Sequence, residues 1–439
     1  MGGRRLLILL VLSAAIGIPA GVHSVTCANG SCGDRTERAS LVPFCPLPIE
    51  LRERLVNGYR EERSPDVLGV ATEMPIVTSD DGGPTAWPGV GKSSDDRVPM
   101  VFWGAGVART DLPDGVGLDS IAPTVSEALG FERPFPEVRS GLATPGVASG
   151  ERPSLVLLVA WKGVGSSDLA SAAGRDWAYL RSLLQEGAGT LDATTGSLPV
   201  DPVATLTTIG TGGLPSQHGI TGSVIRNDEG RVVRAYGPDA PVTVIATLAD
   251  DLDHAAPSSL VGAVLTADLD RGIVGDGWYR HGDPVDAVIG ESGRAPSAVR
   301  ARLATGYGAD EVADVLAVVL DGDVRSLDRW TRRIVADAEL ATDGSALVVV
   351  AGTGSREYDR TAVPDSGLRS AVEAAVPGDA PSVERVVPGG FFLDQNVLRH
   401  ERVTGLVAVE AMRSATAAGG RAMLTDAFQG FAVSFARYC

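Results

Sequence analysis

Ser154-Leu155-Val156-Leu157-Leu158-Val159-Ala160-Trp161 is a continuous apolar run in the middle of the chain. A run of this kind marks a strand buried on both faces, at the centre of a parallel sheet covered by helices. Helical spacing follows over Trp177 to Glu186. The alternation continues at Val242 to Asp251, Leu260 to Leu265, Val315 to Leu320 with a helix at Ser326 to Ala341, and Ala346 to Ala351. Working backwards, Ser120 to Leu129 has helical spacing and Val98 to Trp103 reads as a buried strand ended by Gly104-Ala105-Gly106. Val67 to Ala71 is a short apolar run, and Ile49 to Tyr59 is helical. Thr78 to Asp96 and residues 134–152, rich in Gly, Pro and Ser, read as loops. The pattern predicts an α/β fold: a doubly wound, mostly parallel sheet with helices on both faces and its ligand site at the carboxyl ends of the strands.

The chain has 439 residues, enough for one large or two ordinary domains. With 44% hydrophobic and 21% charged residues it is globular in composition, and 54 Gly and 27 Pro imply many turns. A formal charge of −17 repels phosphate backbones and anionic headgroups, which argues against nucleic acid or a membrane surface as an electrostatic partner. Arg4 and Arg5 followed by the apolar stretch Leu6 to Val22 read as an export signal, with cleavage after Ser24. Uncleaved, a stretch of about 17 residues reaches the lower limit for a membrane anchor. Residues 25–44 read as a polar linker, and residues 45–439 as a single α/β domain. Export permits disulfides, and Cys27, Cys32, Cys45 and Cys439 allow three pairings.

From residue 154 onward several blocks resemble, in order, the phosphodiesterase and nucleotide-pyrophosphatase branch of the alkaline phosphatase superfamily. Leu155 to Gly163 resembles its first strand, which normally ends in Asp-Gly. Gly187-Ala188 and Thr211-Gly212-Gly213-Leu214-Pro215-Ser216-Gln217-His218-Gly219-Ile220 resemble its E-G-A and T-G-x-x-P-x-x-H-G-I patterns. Asp270-Arg271-Gly272, Asp314 to Asp323, Leu347 to Ser355 and Gly389 to Asp394 resemble later blocks. The family's last block stands at the other end of the chain. Asn57-Gly58-Tyr59, Arg63-Ser64-Pro65-Asp66-Val67, Arg97 to Gly104 and Ile121-Ala122-Pro123-Thr124 resemble its R-S-P-D, V-P-L-x-F-x-G and D-I-A-P-T sequence. The resemblance therefore implies a circular permutation, with residues 45–140 matching the family's C-terminal block and 153–439 its N-terminal and central blocks. It also implies that Cys45 and Cys439 lie close enough to bridge, leaving Cys27 to pair with Cys32.

The family's chemistry uses two metal ions, usually zinc, and a Thr or Ser nucleophile. At the corresponding positions this sequence departs from the pattern. The first-strand Asp falls on Lys162, the nucleophile on Pro202, and the Asp-His of D-H-G on Thr353-Gly354. Carboxylates around Asp321 to Asp328 have no Gly-His after them, and Pro84 to Gly89 lacks the histidine of T-H-G. His218, His254, His281 and His400 stand at no ligand position. Asp201, Thr205 and Asp323 are the residual candidates for a reactive group, although Asp201, Thr205, Thr207 and Thr208 also read as a loop and helix start. A lysine at the end of a central strand, amid carboxylates such as Asp321 or Asp323, could replace a metal cation by charge; otherwise Lys162 sits in water.

The resulting expectation is an exported, catalytically degenerate phosphatase-like protein, with no cofactor and a binding or envelope-associated role. The partner is an unspecified protein or small molecule, with no nucleic acid, and with a membrane only through an uncleaved N-terminus. The alternative is an active, zinc-dependent phosphodiesterase or nucleotide pyrophosphatase with an atypical site.

Overall fold

The computed structural model describes residues 44–80, 83–90, 96–275, 277–279, 285–355 and 362–439. The stretch Val42 to Cys439 is one compact unit. Eleven strands matter for the site: β1 (Val67–Ala71), β2 (Arg97–Gly104), β3 (Leu155–Lys162), β4 (Ala188–Thr194), β5 (Val261–Leu265), β6 (Asp286–Ile289), β7 (Asp314–Asp321), β8 (Ala346–Gly352), β9 (Val383–Val387), β10 (Gly390–Leu393) and β11 (Leu424–Gln429). The helices used below are α1 (Ile49–Gly58), α2 (Ile121–Leu129), α3 (Ala178–Glu186), α4 (Pro202–Thr211), α5 (Leu248–Ala255), α6 (Ala295–Leu303), α7 (Val324–Ala341) and α8 (Gly405–Ser414).

The main sheet has seven strands in the order β6-β5-β7-β3-β8-β2-β4, so the apolar run at 154–161 is its central strand. Every residue of β3 is buried. Successive side chains of a strand point to opposite faces, and β3 divides accordingly. Leu155, Leu157, Val159 and Trp161 join Leu180 and Leu183 of α3 and Ile334 of α7 in one core cluster. Val156, Leu158 and Ala160 join Ile121 and Val125 of α2 and Leu206 and Ile209 of α4 in the other. Helices therefore cover both faces of a mostly parallel sheet. Only β2 runs against its neighbours, antiparallel to β8 and β4.

A second, antiparallel sheet has the order β9-β10-β1-β11. Val67 of β1 faces Phe391 of β10 on one side and Gln429 of β11 on the other, so an early segment is sandwiched between two late ones. Phe428 and Phe44 meet edge-on beneath this sheet. Cys45 and Cys439 form a disulfide across a sequence separation of 394 with a Cα–Cα distance of 5.2 Å, as the resemblance implies. Cys27 and Cys32 lie outside the described residues.

Two segments differ from the sequence expectation. Thr78 to Asp96 is not wholly a loop, because Ile76–Asp80 and Gly83–Ala86 pair as an antiparallel hairpin. The β-branched Ile76, Val77 and Thr78 supply its first strand, and Trp87 locks it by donating its indole N–H to Thr78 Oγ1 at 2.9 Å. Val242 to Asp251 contains no strand. Val242 and Val244 face solvent at 58% and 43% exposure, and regular structure begins only where Thr247 caps α5 by accepting the Asp250 N–H.

Candidate functional site

Parallel strands deliver their carboxyl ends to one edge of the sheet, and β3 and β8 are adjacent. Lys162 is the last residue of β3, and Thr353 and Gly354 follow β8. The Thr353 hydroxyl oxygen accepts the Gly163 N–H at 2.8 Å, tying the two strand ends together, and Thr353 is fully buried. Gly354 has φ +104°, and a Cβ there would lie 2.2 Å from Val200 Cγ1. Glycine at this position lets the segment leading into α4 close over the strand ends. Lys162, Thr353, Gly354 and the segment just before Pro202 are thus brought to one place.

Lys162 is buried at 5% exposure and does not reach water. Its Nζ lies 2.7 Å from Asp270 Oδ1. Asp270 belongs to the tight turn Asp268–Ile273 after β5, and its other oxygen accepts the Thr266 N–H, the Thr266 hydroxyl and the Ala267 N–H at 3.0, 2.5 and 2.9 Å. The charged pair is therefore hydrogen-bonded on the carboxylate side as well, the condition under which a buried ion pair is tolerated. This corrects two readings of the sequence. The lysine is not solvated, and its partner is neither Asp321 nor Asp323. Asp321 faces Lys162 in the strand register but is exposed. Asp323 caps α7 by accepting the Ser326 N–H at 3.0 Å, and that bond holds its carboxyl below the usual range.

The turn reaches Lys162 because two glycines let it lie on α4. A Cβ on Gly210 would stand 2.4 Å from the Gly272 carbonyl oxygen, and one on Gly272 would stand 2.1 Å from Thr207 Oγ1. Sequence reading placed Asp270 in a family block without giving it this role. The available signal was Thr266 and Ala267 ahead of it, a pattern in which a carboxylate folds back onto preceding N–H groups.

The start of α4 is built for structure. Pro202 occupies the first helical turn, where its missing N–H costs nothing. Asp201 is the N-cap: one carboxylate oxygen accepts the N–H groups of Val203 and Ala204, the other that of Ser223 at 3.0 Å. Thr205 is buried at 3% exposure one turn further on. Beside Asp201 lies a mainly apolar cleft of about 490 Å³, open mouth included, lined among others by Tyr59, Leu198, Pro199 and Thr221.

His218 is completely buried. Its Nδ1 accepts the Ile220 N–H at 3.1 Å, which leaves Nε2–H to face Thr208 Oγ1 at 3.1 Å. Burial pushes its pKa down from 6.5 to about 3, so the ring is neutral. His254 stacks on Tyr279 with ring centroids 4.3 Å apart, and His400 is exposed beside Glu401. His281 lies outside the described residues.

At the positions to which the resemblance assigns two zinc ions and a nucleophile stand Lys162, Pro202, Thr353 and Gly354, none of which carries a carboxylate or an imidazole. Among the described residues no group of three or more His, Cys, Asp or Glu is arranged to hold a metal ion.

No family model matches the chain. Local similarity to curated proteins covers 20% of it: 32% identity over 92 residues with alkaline phosphatase PhoV of Synechococcus elongatus, and 28% over 88 residues with alkaline phosphatase PafA of Elizabethkingia meningoseptica. A protein of Myroides odoratus described as a calcium-transporting ATPase is 34% identical over 88 residues. Each match spans only 16% of the relative's own length. Among solved structures, phosphonoacetate hydrolase of Sinorhizobium meliloti is similar with a TM-score of 0.30 and 16% identity, over 46% of this chain and 57% of that one. The chain therefore carries weak local sequence homology to alkaline phosphatases, on a mixed α/β fold with a large, mostly parallel sheet.

Proposed function

We propose that this protein is an exported, catalytically degenerate relative of the alkaline phosphatase superfamily, its blocks circularly permuted, that serves by binding a partner in the cell envelope. The observation that carries the reading is the Lys162–Asp270 ion pair. The resemblance assigns Lys162's place to a metal-binding Asp, and a protein cation there already neutralises Asp270 at 2.7 Å. A second cation of higher charge would face an ammonium fixed within contact distance, a repulsion of several kcal/mol even at an effective dielectric of about 20. Pro202 supplies no hydroxyl, and Asp201 spends its carboxylate on three backbone N–H groups. The permutation is supported by β1 lying between β10 and β11 and by the Cys45–Cys439 bridge across the ends of the domain.

Elemental analysis of protein purified without chelator, combined with hydrolysis of a bis-aryl phosphodiester with and without added zinc, tests this reading. The expected result is substoichiometric zinc and no turnover. About two equivalents of tightly held zinc per chain with zinc-dependent turnover would establish the active phosphodiesterase instead.

A further inference from the structure

The mainly apolar cleft beside Asp201 is lined by neither Lys162 nor Thr353, so it is separate from the strand ends described above. Four segments of the chain each contribute a proline to its wall: Pro65, Pro88, Pro199 and Pro388. A pyrrolidine ring has no side-chain rotamers to exchange, so these walls do not turn inward and fill the space. The rim at α1 is fixed by backbone contact, since a Cβ on Gly58 would stand 1.9 Å from the Leu198 carbonyl oxygen. The cleft, about 490 Å³ with its mouth, is therefore preformed and falls within the range of small-molecule sites, about 300–1,000 Å³.

Two hydroxyls open onto this apolar space unpaired. Thr221 is only 8% exposed, yet its hydroxyl makes no hydrogen bond among the described residues. The phenol of Tyr59, just past the end of α1, makes none either. Neither oxygen is among the unpaired side-chain atoms sealed inside the protein, so both remain accessible. Burial, reinforced by Glu61, Asp66 and Glu62, pushes the Tyr59 pKa well above its usual value, which keeps the phenol a neutral donor. By contrast, Ser64 Oγ accepts the Arg60 N–H at 2.9 Å, and Asp201 holds three backbone N–H groups. A hydroxyl as buried as that of Thr221 costs stability unless something in the cleft pairs with it.

The lining also says what that occupant is. It includes no Lys, Arg or His, and its one charged side chain is Asp201. An anion such as a phosphate ester would meet a carboxylate with no cation to offset it. A neutral molecule with one hydroxyl or carbonyl satisfies the two hydroxyls and leaves its hydrocarbon against the prolines. Rigid walls favour a rigid ring over a flexible chain, because the ring has less freedom to lose on binding.

We infer that this cleft is a binding site for a small uncharged ring compound bearing one hydroxyl or carbonyl, held by the Thr221 and Tyr59 hydroxyls. The inference goes beyond the proposed envelope role and depends on neither export nor the loss of catalysis.

The probe is p-cresol, titrated into the full chain and followed by saturation-transfer NMR, with toluene and p-toluenesulfonate as its apolar and anionic counterparts. The expected result is saturable p-cresol binding that weakens about 5- to 10-fold in Tyr59→Phe and in Thr221→Val, while toluene affinity stays the same in both. p-Toluenesulfonate should not displace p-cresol, and hydrogen exchange over residues 221–224 should slow when p-cresol is added. Both variants should melt at the wild-type temperature, since neither hydroxyl is bonded within the protein. No saturable binding, an unchanged p-cresol affinity in either variant, or displacement by p-toluenesulfonate would each overturn the inference. So would a lowered melting temperature in either variant, which would show that its hydroxyl is already paired. None of these readouts involves zinc content or turnover.

Discussion

Lys162 Nζ and Asp270 Oδ1 lie 2.7 Å apart, with side chains 5% and 0% exposed. They join the end of the central strand to the turn after β5. A buried pair need not stabilise relative to an apolar replacement, but removing one partner strands the other charge without water. Lys162→Met and Asp270→Asn should each cost about 3–5 kcal/mol in urea unfolding. The double variant should cost clearly less than the sum of the two, because the pair shares one interaction. Additive losses would show that the two charges do not act as a pair.

Stability near His218 should depend on pH in a defined window. The folded ring resists protonation down to about pH 3, while the unfolded value is 6.5. Between these values the unfolded chain binds the extra proton. The His218 contribution is complete above pH 6.5, falls by up to about 1.4 kcal/mol per pH unit below it, and levels off near pH 3. His218→Asn, which keeps an acceptor for the Ile220 N–H, should flatten the stability profile between pH 6.5 and 4 relative to wild type. Carboxylates common to both proteins cancel in the difference. Parallel profiles would mean that His218 titrates normally.

Gly210→Ala sets two effects of opposite sign against each other. Helix propensity favours alanine by about 1 kcal/mol. Against that, the new Cβ would stand 2.4 Å from the Gly272 backbone oxygen, which cannot rotate away. Overlap of this kind costs about 1–3 kcal/mol and should win, lowering the melting temperature and loosening the turn that holds Asp270. A rise in melting temperature would show that the turn has room to move.

Cutting the Cys45–Cys439 bridge by Cys439→Ser should destabilise the domain by about 3–5 kcal/mol, because the bridge closes nearly the whole chain into a loop. Wild type in reductant should match the variant in urea unfolding, and reductant should not affect the variant further.

Asp201→Ala should cost about 1–2 kcal/mol as the loss of a helix cap, with the bond from the Ser223 N–H lost besides. Asp201→Asn, which still accepts hydrogen bonds, should recover most of that loss. If Asp201 were instead a reactive group in a working hydrolase, Asp201→Asn would abolish turnover and leave stability nearly unchanged.

Elements with strong local signals were legible in the sequence. The apolar run ending at Trp161, the helices over 178–186 and 324–341 and the strands over 314–321 and 346–352 stand within about three residues of where periodicity put them. Where composition and packing disagree, composition misled. The hairpin over 76–86 hides in a Gly-, Pro- and Asp-rich stretch and forms because Trp87 needs a buried partner for its N–H. Strand β4 is weakly apolar and gains its identity from pairing with β2.

By itself the sequence determined the α/β alternation and the central place of β3, since residue type and period are local properties. Which charge answers Lys162 was decided only in three dimensions. Asp321 is its neighbour in the sheet, yet Asp270, 108 residues along the chain, holds it, because Gly210 and Gly272 let a turn close in where a desolvated ammonium requires a desolvated carboxylate.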